Sequence, residues 1–555
     1  MPGMPAARNR SGNRTFPPAA GKISRKPAGR EKEQRPSKAP DRRLTSSAWG
    51  ATTTMASFPV SVQRAAAYAL AVALLCLPAI WNGFPLVFDD VGGYLERWPT
   101  ASLGLGRSVP YGLLLWTTKS GWWVPAIVLQ AVVTAWIIDR AMNVFGLGRS
   151  PWLILGAVAA IAATSGAAFF VSQVVPDAWA APAVLALHLL AWHADRLTTT
   201  ERVAMAAVVA FAGASHMATL GVLAGLSILH TAAWLGRRRL GVAAPGIVVA
   251  NASVWCGIAL LLAANFLVAG RFALTPGGDV ILFGRLLESG IVSTVLAEEC
   301  PRNDWRFCAF RHDLPTASED FMWDTDSPLH KVGGWEDRRT NREIASIIAH
   351  SMLAHPLEHL HAAVSLTIEQ LVTVGIADSM HRVNSMHLRW AMDRYAPRLV
   401  DGYNHSRQQQ EEVDFESWSF WIVSPLSIAG TFALPFIAFL SWRQDRRREA
   451  MLPAMLFLAL LGNAFICGVI AGPNDRYQAR VAWLAPLVLA LTAPARRQGR
   501  FDFRAPLARP LPSIARSNTA DQDAVDPAGL AALRGAASKE RRPGPRNRDQ
   551  SVIAP

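Results

Sequence analysis

Apolar runs of roughly 17 to 24 residues, separated by short polar segments, fill the chain from about residue 64 to residue 494. About 20 apolar residues suffice for a helix to cross a bilayer. Ala and Leu dominate the runs, and no alternation with a period of two marks barrel strands. The pattern therefore predicts an all-α polytopic membrane protein.

The runs predict about ten transmembrane helices, near residues 64–83, 122–138, 151–171, 178–193, 203–215, 217–234, 245–268, 418–440, 451–470 and 480–494. The first run is longer than the apolar part of a signal peptide and lacks a clear cleavage site, so we expect it to be retained. The apolar stretch 362–377 contains Glu369 and Gln370 and is flanked by His359 and His361. We expect an interfacial or re-entrant helix there.

Basic residues occur in alternate loops, which indicates the orientation of the chain because Lys and Arg concentrate on the cytoplasmic side. The loops concerned carry Arg140 and Arg149, Arg196 and Arg202, Arg237–Arg239, and Arg443 with Arg446–Arg448. This pattern predicts a multi-pass protein of the cell inner membrane with both termini in the cytoplasm.

The net charge of +14 over 555 residues comes from the two ends of the chain. Residues 1–64 hold 13 Lys or Arg against 3 acidic residues, and residues 495–555 hold 12 against 6. Such Pro-, Arg- and Ser-rich tails do not bury a core, and they indicate lipid contact rather than nucleic-acid binding. The predicted organisation is a disordered tail at 1–63, a seven-span region at 64–269, an outer-side insert at 270–417, a three-span region at 418–494 and a disordered tail at 495–555.

An acidic pair, Asp89-Asp90, follows the first predicted span on the outer side. A carboxylate at this place is suited to deprotonating an acceptor hydroxyl or to holding a divalent metal ion beside a phosphate. We expect one of the two to face a site and favour Asp90, because Gly92 and Gly93 allow the chain to turn behind it. The alternative is that Asp90 caps the next helix.

Two further polar groups lie at the outer ends of predicted spans. Asp177 follows Pro176 after the third span, and His216 lies in the turn between the fifth and sixth. Both are candidate substrate-binding residues. The alternatives are a helix cap for Asp177 and a satisfied structural group for His216.

The last predicted span opens with Asp475, Arg476, Tyr477 and Arg480. The two arginines are four residues apart and share a helix face. Arg makes forked contacts to phosphate, so Arg476, Tyr477 and Arg480 are candidate substrate-binding residues. The alternative is that these arginines snorkel to the lipid headgroups.

Two cysteines, Cys300 and Cys308, lie in the predicted outer insert, whereas the other three lie inside spans. An oxidising outer compartment favours a disulfide between them over two free thiols. The insert also contains the pattern His355-x-x-Glu358-His359, which occurs in a family of zinc peptidases. Pro356 inside this pattern argues against a metalloprotease.

Taken together, the first-loop acidic pair, the Pro-Asp after the third span, the large outer insert and the Arg-Tyr of the last span resemble the GT-C class. These are polytopic glycosyltransferases that use polyprenyl-phosphate-linked sugars. The resemblance covers the layout of residues 64–494, although obvious repeats and a carbohydrate-binding module are missing. It implies that Asp89 or Asp90 is a catalytic base or metal contact, and that Arg476 lies near the donor phosphate.

The expected reaction is direct displacement at the anomeric carbon of the sugar, with the acceptor proton passing to Asp90 and the leaving phosphate stabilised by Arg476. A divalent metal ion is an optional cofactor, and the expected partners are the lipid bilayer and a polyprenyl-phosphate-linked sugar. The alternatives are a transporter or flippase of a lipid-linked envelope substrate, which needs polar groups at mid-membrane, and a structural envelope protein.

Overall fold

The computed structural model describes residues 60–148, 150–300, 302–377, 381–410 and 416–497. Helices account for the regular structure of these residues, which contain no β-strand and only two isolated bridges. The all-α prediction is confirmed for this part of the chain. The two tails predicted at 1–63 and 495–555 lie outside the described residues, apart from 60–63, which begin the first helix, and 495–497, which end the last helix.

Within the described residues, thirteen α-helices precede the insert, in the chain order α1 Val60–Leu75, α2 Leu77–Asn82, α3 Val91–Leu95, α4 Arg97–Thr100, α5 Val109–Thr118, α6 Val124–Val144, α7 Pro151–Thr164, α8 Ala167–Ser172, α9 Ala180–His193, α10 Thr199–Ser215, α11 Met217–Leu235, α12 Arg237–Leu240 and α13 Ile247–Ala269.

The insert holds α14 Gly278–Glu288, α15 Ile291–Glu299, α16 Ser318–Trp323, α17 Pro328–Lys331, α18 Arg338–Ala354, α19 Pro356–Val372, α20 Met386–Tyr395, α21 Val400–Asn404 and α22 Glu416–Trp418. A short π-helical stretch, Ser419–Val423, joins α22 to α23 Ser424–Arg443. The chain then forms α24 Arg447–Ile470, α25 Asp475–Ala482 and α26 Leu484–Arg497.

Five of the described helices are long and apolar enough to cross a membrane: Val124–Val144, Met217–Leu235, Ile247–Ala269, Glu416–Arg443 and Arg447–Ile470. They coincide with five of the ten predicted spans. A sixth is reached if α14 and α15, which are bent by 90° at a short break, count as one broken span. Several helices are therefore long and apolar enough to cross a bilayer, as expected of a membrane protein.

At the other five predicted spans the helices are shorter or interrupted. The first span is divided at Cys76, the third at Ser165 and the last at Trp483, while α9 and α10 are 14 and 17 residues long. Every residue of α9 is buried, so the neighbouring helices rather than lipid surround it. The count of ten spans stays a prediction.

Contacts between loops form two separate sets. In one set, Arg140 binds Glu201 at 2.6 Å and Arg448 binds Asp195 at 3.0 Å, which joins loops predicted to be cytoplasmic. In the other, Ser108 donates to the Ser215 carbonyl at 2.7 Å, joining loops predicted to be outside. A helix such as α6, with 21 residues, separates the two sets by about 30 Å.

The insert has an apolar core of its own, built from α14, α15, α16 and α18 around Phe283, Phe307 and Phe321. Beside this core, Cys300 and Cys308 form a disulfide with their Cα atoms 5.5 Å apart. The cysteine pairing expected from the sequence is confirmed.

Helix α19 covers most of the stretch predicted to be interfacial. Its inner face packs on α24, where Gly468 admits the Leu366 backbone so closely that an added Cβ would lie 2.6 Å from the Leu366 oxygen. An exposed apolar stripe that includes Leu357, Leu360 and Ile368 runs along another face. This arrangement suits an amphipathic helix at a membrane surface.

We expect the two sets of loops to lie on opposite sides of the membrane. Single cysteines at the exposed positions Thr100 and Arg238 test this, in a background where Cys76, Cys256 and Cys467 are replaced by Ser. An impermeant maleimide should label Thr100→Cys in intact cells and should reach Arg238→Cys only after permeabilisation. The reverse result would contradict the predicted orientation.

We expect the Cys300–Cys308 disulfide to stabilise the insert by about 2–3 kcal/mol, because it closes a short loop in the unfolded chain. The Cys300→Ser and Cys308→Ser double variant should expose the core near Phe307 to protease at lower temperature than the parent protein. Free thiols at both positions in the non-reduced protein would show that no bond forms.

Candidate functional site

Five charged side chains from four separate segments form a row of alternating charges, called here the charge chain. Arg107 binds Asp90 at 2.5 Å, and Asp90 lies 3.3 Å from Arg476. Arg476 in turn approaches Asp177 at 3.7 Å, and Asp177 binds Arg480 at 2.6 Å. Four of the five were candidates from the sequence, and the fold brings them to one place.

The start of α25 explains how Arg476 and Arg480 reach the charge chain together. Asn474 caps this helix, with its side-chain oxygen accepting from the Arg476 amide at 3.1 Å. Gln370 of α19 holds Asn474 by hydrogen bonds of 2.9 Å and 2.8 Å. Both arginines are buried, 5% and 1% exposed, so the alternative that they snorkel into headgroups is wrong.

The two terminal nitrogens of Arg480 contact four neighbouring side chains. It donates to Asp177, to His216 Nδ1 at 2.9 Å and to Asn463 Oδ1 at 2.9 Å, and it lies 3.4 Å from Cys467 Sγ. Burial, together with the Arg480 charge, lowers the pKa of His216 to about 3, so the imidazole is neutral at cellular pH. We infer that Arg480 positions Asp177 rather than meeting a ligand.

Neither aspartate of the charge chain acts as a helix cap. Asp90 is at the cap position of α3 but makes no capping hydrogen bond, and Asp177 in the turn before α9 makes none either. Their carboxylates are bound to arginines instead. Removing one partner of a buried ion pair leaves the other charge uncompensated, which typically lowers the free energy of unfolding by about 3–5 kcal/mol.

Gly92 and Gly93 are needed for close approach rather than for a turn, since both lie within helix α3. A Cβ on Gly93 would lie 3.0 Å from the Arg107 Cγ atom, and one on Gly92 would lie 2.9 Å from the Leu388 backbone. The reason given above for favouring Asp90 is therefore wrong. Gly93 permits the passage of the Arg107 side chain toward Asp90, and Gly92 permits the close packing of α20 on α3.

The two adjacent carboxylates differ in their surroundings. Burial opposes the ionisation of Asp90, but Arg107 and Arg476 outweigh it and hold the pKa of Asp90 below its usual value. Asp89 makes no ion pair with an arginine among the described residues, and its side chain is 42% exposed with His381 at 3.9 Å. Burial of its inner part and the nearby Asp90 raise the pKa of Asp89 against the opposing effect of His381.

Two members of the charge chain keep a buried, unbound donor atom among the described residues: Nε of Arg480, which four neighbouring side chains surround, and Nη1 of Arg476. The guanidinium carbon of Arg476 lies 3.7 Å above the Phe88 ring and 5.5 Å from the Tyr477 ring, which fixes its plane. Its Nη1 atom is buried and has no hydrogen-bond partner among the described residues. A buried N–H donor without an acceptor is costly, so this atom is placed to bind an anionic ligand.

A divalent metal ion does not fit the carboxylates of this site. Asp90 and Asp177 are each bound by two arginines, which compete with a cation for the same oxygens. Among the described residues, no group of three or more His, Cys, Asp or Glu side chains has a metal-binding arrangement. We therefore derive no step through a metal ion.

The zinc-peptidase pattern is occupied by other contacts. His355 lies 3.2 Å from both Glu298 and Glu358, while His359 binds Ser351 at 3.0 Å. Pro356 begins helix α19, so the pattern spans a helix boundary instead of lying on one helix face. The Cys300–Cys308 disulfide takes no part in the ion pairs of the charge chain.

Sequence reasoning missed Arg107, Phe88 and Asn463. Arg107 carried a usable signal, because it is a basic residue in a loop predicted to be outside, the argument that had singled out Arg476. Phe88 and Asn463 carried none, since an aromatic residue in a loop and an amide inside a span are common. Their roles depend on which side chains the fold brings next to Arg476 and Arg480.

Comparison with known proteins adds no assignment to this geometry. No protein-family model matches the chain, and neither a curated protein nor a solved structure matches it. The proposal that follows therefore depends on the charge chain, on Asp89 and on the resemblance in layout.

Proposed function

We propose that the protein is an integral membrane glycosyltransferase. It transfers a sugar from a polyprenyl-phosphate donor to an acceptor hydroxyl at the outer face of the cell inner membrane. The bilayer delivers the apolar donor, whose phosphate meets the charge chain at the ends of the helices. In this proposal the ten-span topology, with both termini in the cytoplasm, places the charge chain at that outer face.

The observation that carries the proposal is the unbound Nη1 atom of Arg476 at the acidic pair, of which Asp90 binds this arginine and Asp89 is partly exposed. A buried guanidinium centred 3.7 Å from the Phe88 ring, with its Nη1 atom unbound among the described residues, suits a phosphate oxygen. Asp89 directly precedes the carboxylate that binds this guanidinium. An anion-binding donor and a proton acceptor are the two groups that glycosyl transfer from a phosphate requires.

The reaction is a direct displacement. The acceptor oxygen forms a bond to the anomeric carbon, and the bond from that carbon to the phosphate oxygen breaks with its electron pair staying on the phosphate. Arg476 stabilises the charge that develops on the leaving phosphate. The acceptor proton passes to a carboxylate of the acidic pair.

We assign the base to Asp89 rather than to Asp90. Asp90 is bound by Arg107 and Arg476, and the resulting low pKa makes it a weak proton acceptor. Asp89 is partly exposed, and its raised pKa makes it the stronger base of the two. Asp90 then holds the two arginines in place for the phosphate.

Transport or flipping of a lipid-linked substrate remains the alternative. Its polar groups would be expected near mid-membrane, whereas the charge chain is built from residues at helix ends. A transporter would bind the donor lipid without chemical change, which separates the two functions experimentally.

We expect Asp89→Asn to lower the transfer rate by about 10²–10⁴-fold while donor binding persists, because only the proton acceptor is lost. Arg476→Ala should weaken donor binding by about 10- to 150-fold, the loss of one charge-assisted hydrogen bond. Arg476→Lys should recover part of this loss, since an ammonium cannot make the forked contact. Transfer and binding of a polyprenyl-phosphate sugar are measured on purified protein in lipid nanodiscs.

Matched controls are Asp326→Asn and Arg302→Ala, which remove exposed charges from the insert. Both should transfer at the parental rate. Full transfer activity in an Asp89→Asn and Asp90→Asn double variant would rule out the proposed mechanism. Donor binding without transfer in the parent protein, across a range of acceptors, would favour the transporter.

We also expect transfer to fall at acidic pH. The base acts as a carboxylate, so activity is present above the pKa of Asp89 and is lost as the pH drops through it. Because that pKa is raised, the acidic limb should lie above the ordinary range for aspartate. Rate profiles at saturating donor should show the limb shifted in Asp89→Glu, and an unshifted limb would assign it to another group.

A further inference from the structure

The segment of residues 381–410 lies directly against the loop that carries Asp89. Gln408 accepts from the Val87 amide at 3.0 Å and donates back to the Val87 carbonyl at 2.8 Å. Helix α20 packs on α3 so closely that Gly92 has no room for a side chain beside Leu388. This segment and the Asp89 loop therefore form one continuous surface.

The charge of this segment differs from that of the rest of the insert. The rest of the insert, residues 270–380 and 411–417, contains nine Lys or Arg against twenty Asp or Glu, five of which flank the segment at positions 378, 411, 412, 414 and 416. Residues 381–410, in contrast, contain five Arg against two Asp. All five arginines are exposed, at positions 382, 389, 394, 398 and 407. We call this the basic surface. Basic residues are depleted in outward loops of membrane proteins, so a concentration of them there requires a separate reason.

Three members of the basic surface form no salt bridge with another described residue. Arg389, Arg394 and Arg398 make no ion pair with any described residue, in contrast to the arginines of the charge chain. Exposed arginines that are left unpaired beside a candidate site are available for an anionic ligand.

A pocket of about 120 Å³ opens on the basic surface between α20 and α21. Its lining combines one guanidinium with hydroxyl, amide and carboxylate groups and consists of Arg389, Met392, Asp393, Val400, Tyr403 and Asn404. Tyr403 donates to the Val383 carbonyl at 3.1 Å, which anchors the floor of the pocket. Polar groups of these kinds can bind the hydroxyls of a carbohydrate, while Arg389 can bind an acidic substituent.

The pocket lies near the Asp89 loop, because Tyr403 binds the Val383 carbonyl and His381, two residues before Val383, lies 3.9 Å from Asp89. Burial raises the pKa of Tyr403 to about 12, and Asp89 adds to this rise while Arg389 and Arg382 oppose it. The phenol stays neutral at cellular pH and remains a hydrogen-bonding group. The contacts through Val383 and His381 place the pocket where a bound molecule can extend toward the carboxylate that we assign as the base.

We propose that the acceptor is an anionic carbohydrate, carrying carboxylate or phosphate groups, that binds the basic surface and presents a hydroxyl to Asp89. This inference depends on the proposed function for the role of Asp89 and adds the chemical class of the acceptor. Exposed Met386 and Trp390 on α20 make lipid headgroups the competing occupant. A bilayer surface does not enter a pocket, and the pocket therefore favours the carbohydrate.

Binding of two probes of equal length tests the proposal with the full chain in nanodiscs of uncharged phosphatidylcholine. The acidic probe is tetragalacturonate, and the neutral probe is maltotetraose. We expect the acidic probe to bind at least about 10-fold more tightly and to weaken as salt is raised. The Arg389→Gln and Arg398→Gln double variant should lose about 10-fold in affinity for tetragalacturonate.

The control is Arg311→Gln, which removes an exposed arginine from the acidic part of the insert. It should bind tetragalacturonate as the parent does, and thermal melting should show that all variants are folded. Equal binding of the two probes, or no binding of either, would overturn the proposal. So would a double variant that keeps its tetragalacturonate affinity and instead loses affinity for nanodiscs containing phosphatidylglycerol.

The assay also separates this proposal from the proposed function. Asp89→Asn should keep its affinity for tetragalacturonate, because the arginines of the basic surface are unchanged. If transfer from a polyprenyl-phosphate sugar occurs but the acidic probe does not bind, only the acceptor class is wrong. If the probe binds as expected and transfer is never detected, the basic surface is an anion-binding site of a protein with another function.

Discussion

The buried ion pair between Arg480 and Asp177 is the interaction on which the arrangement of the site depends. Both side chains are almost fully buried, and each would carry an uncompensated charge without the other. Arg480 also binds His216, Asn463 and Asp177 at once, and these residues come from three different segments. Helix α25 is thereby held so that Arg476, one turn before Arg480, meets Asp90.

From this anchor the charges alternate outward, and their accessibility changes along the row. Arg480 and Arg476 are both buried, and each retains one N–H donor without a partner among the described residues, whereas Arg107 is partly exposed. The same order separates two tasks. The inner pair positions the helix, and the outer members are placed to bind a charged ligand. Because Asp90 is used in this row, the neighbouring Asp89 is left as the base in our proposal.

The basic surface of the insert also presents charged side chains that are placed to bind a ligand. The core of the insert, around Phe283, forms apart from the charge chain. The segment after α19 then packs against the Asp89 loop through Gln408. An acidic insert that becomes basic at this return suggests two anion-binding regions on either side of Asp89. One would accept a donor phosphate at Arg476, and the other an acidic acceptor at Arg389.

The sequence by itself predicted the helical class and the Cys300–Cys308 disulfide, both of which the described residues bear out, and ten spans, of which five coincide with long apolar helices. These features were predictable because hydrophobic period and cysteine spacing are local properties. The sequence also identified Asp90, Asp177, His216, Arg476 and Arg480, since ionisable groups beside apolar spans are costly. The tertiary structure alone decided that these groups bind one another, that Arg107 and Phe88 join them, and that Asp90 rather than Asp89 is bound by arginines. Such pairings depend on how helices pack across hundreds of residues, which no local pattern records.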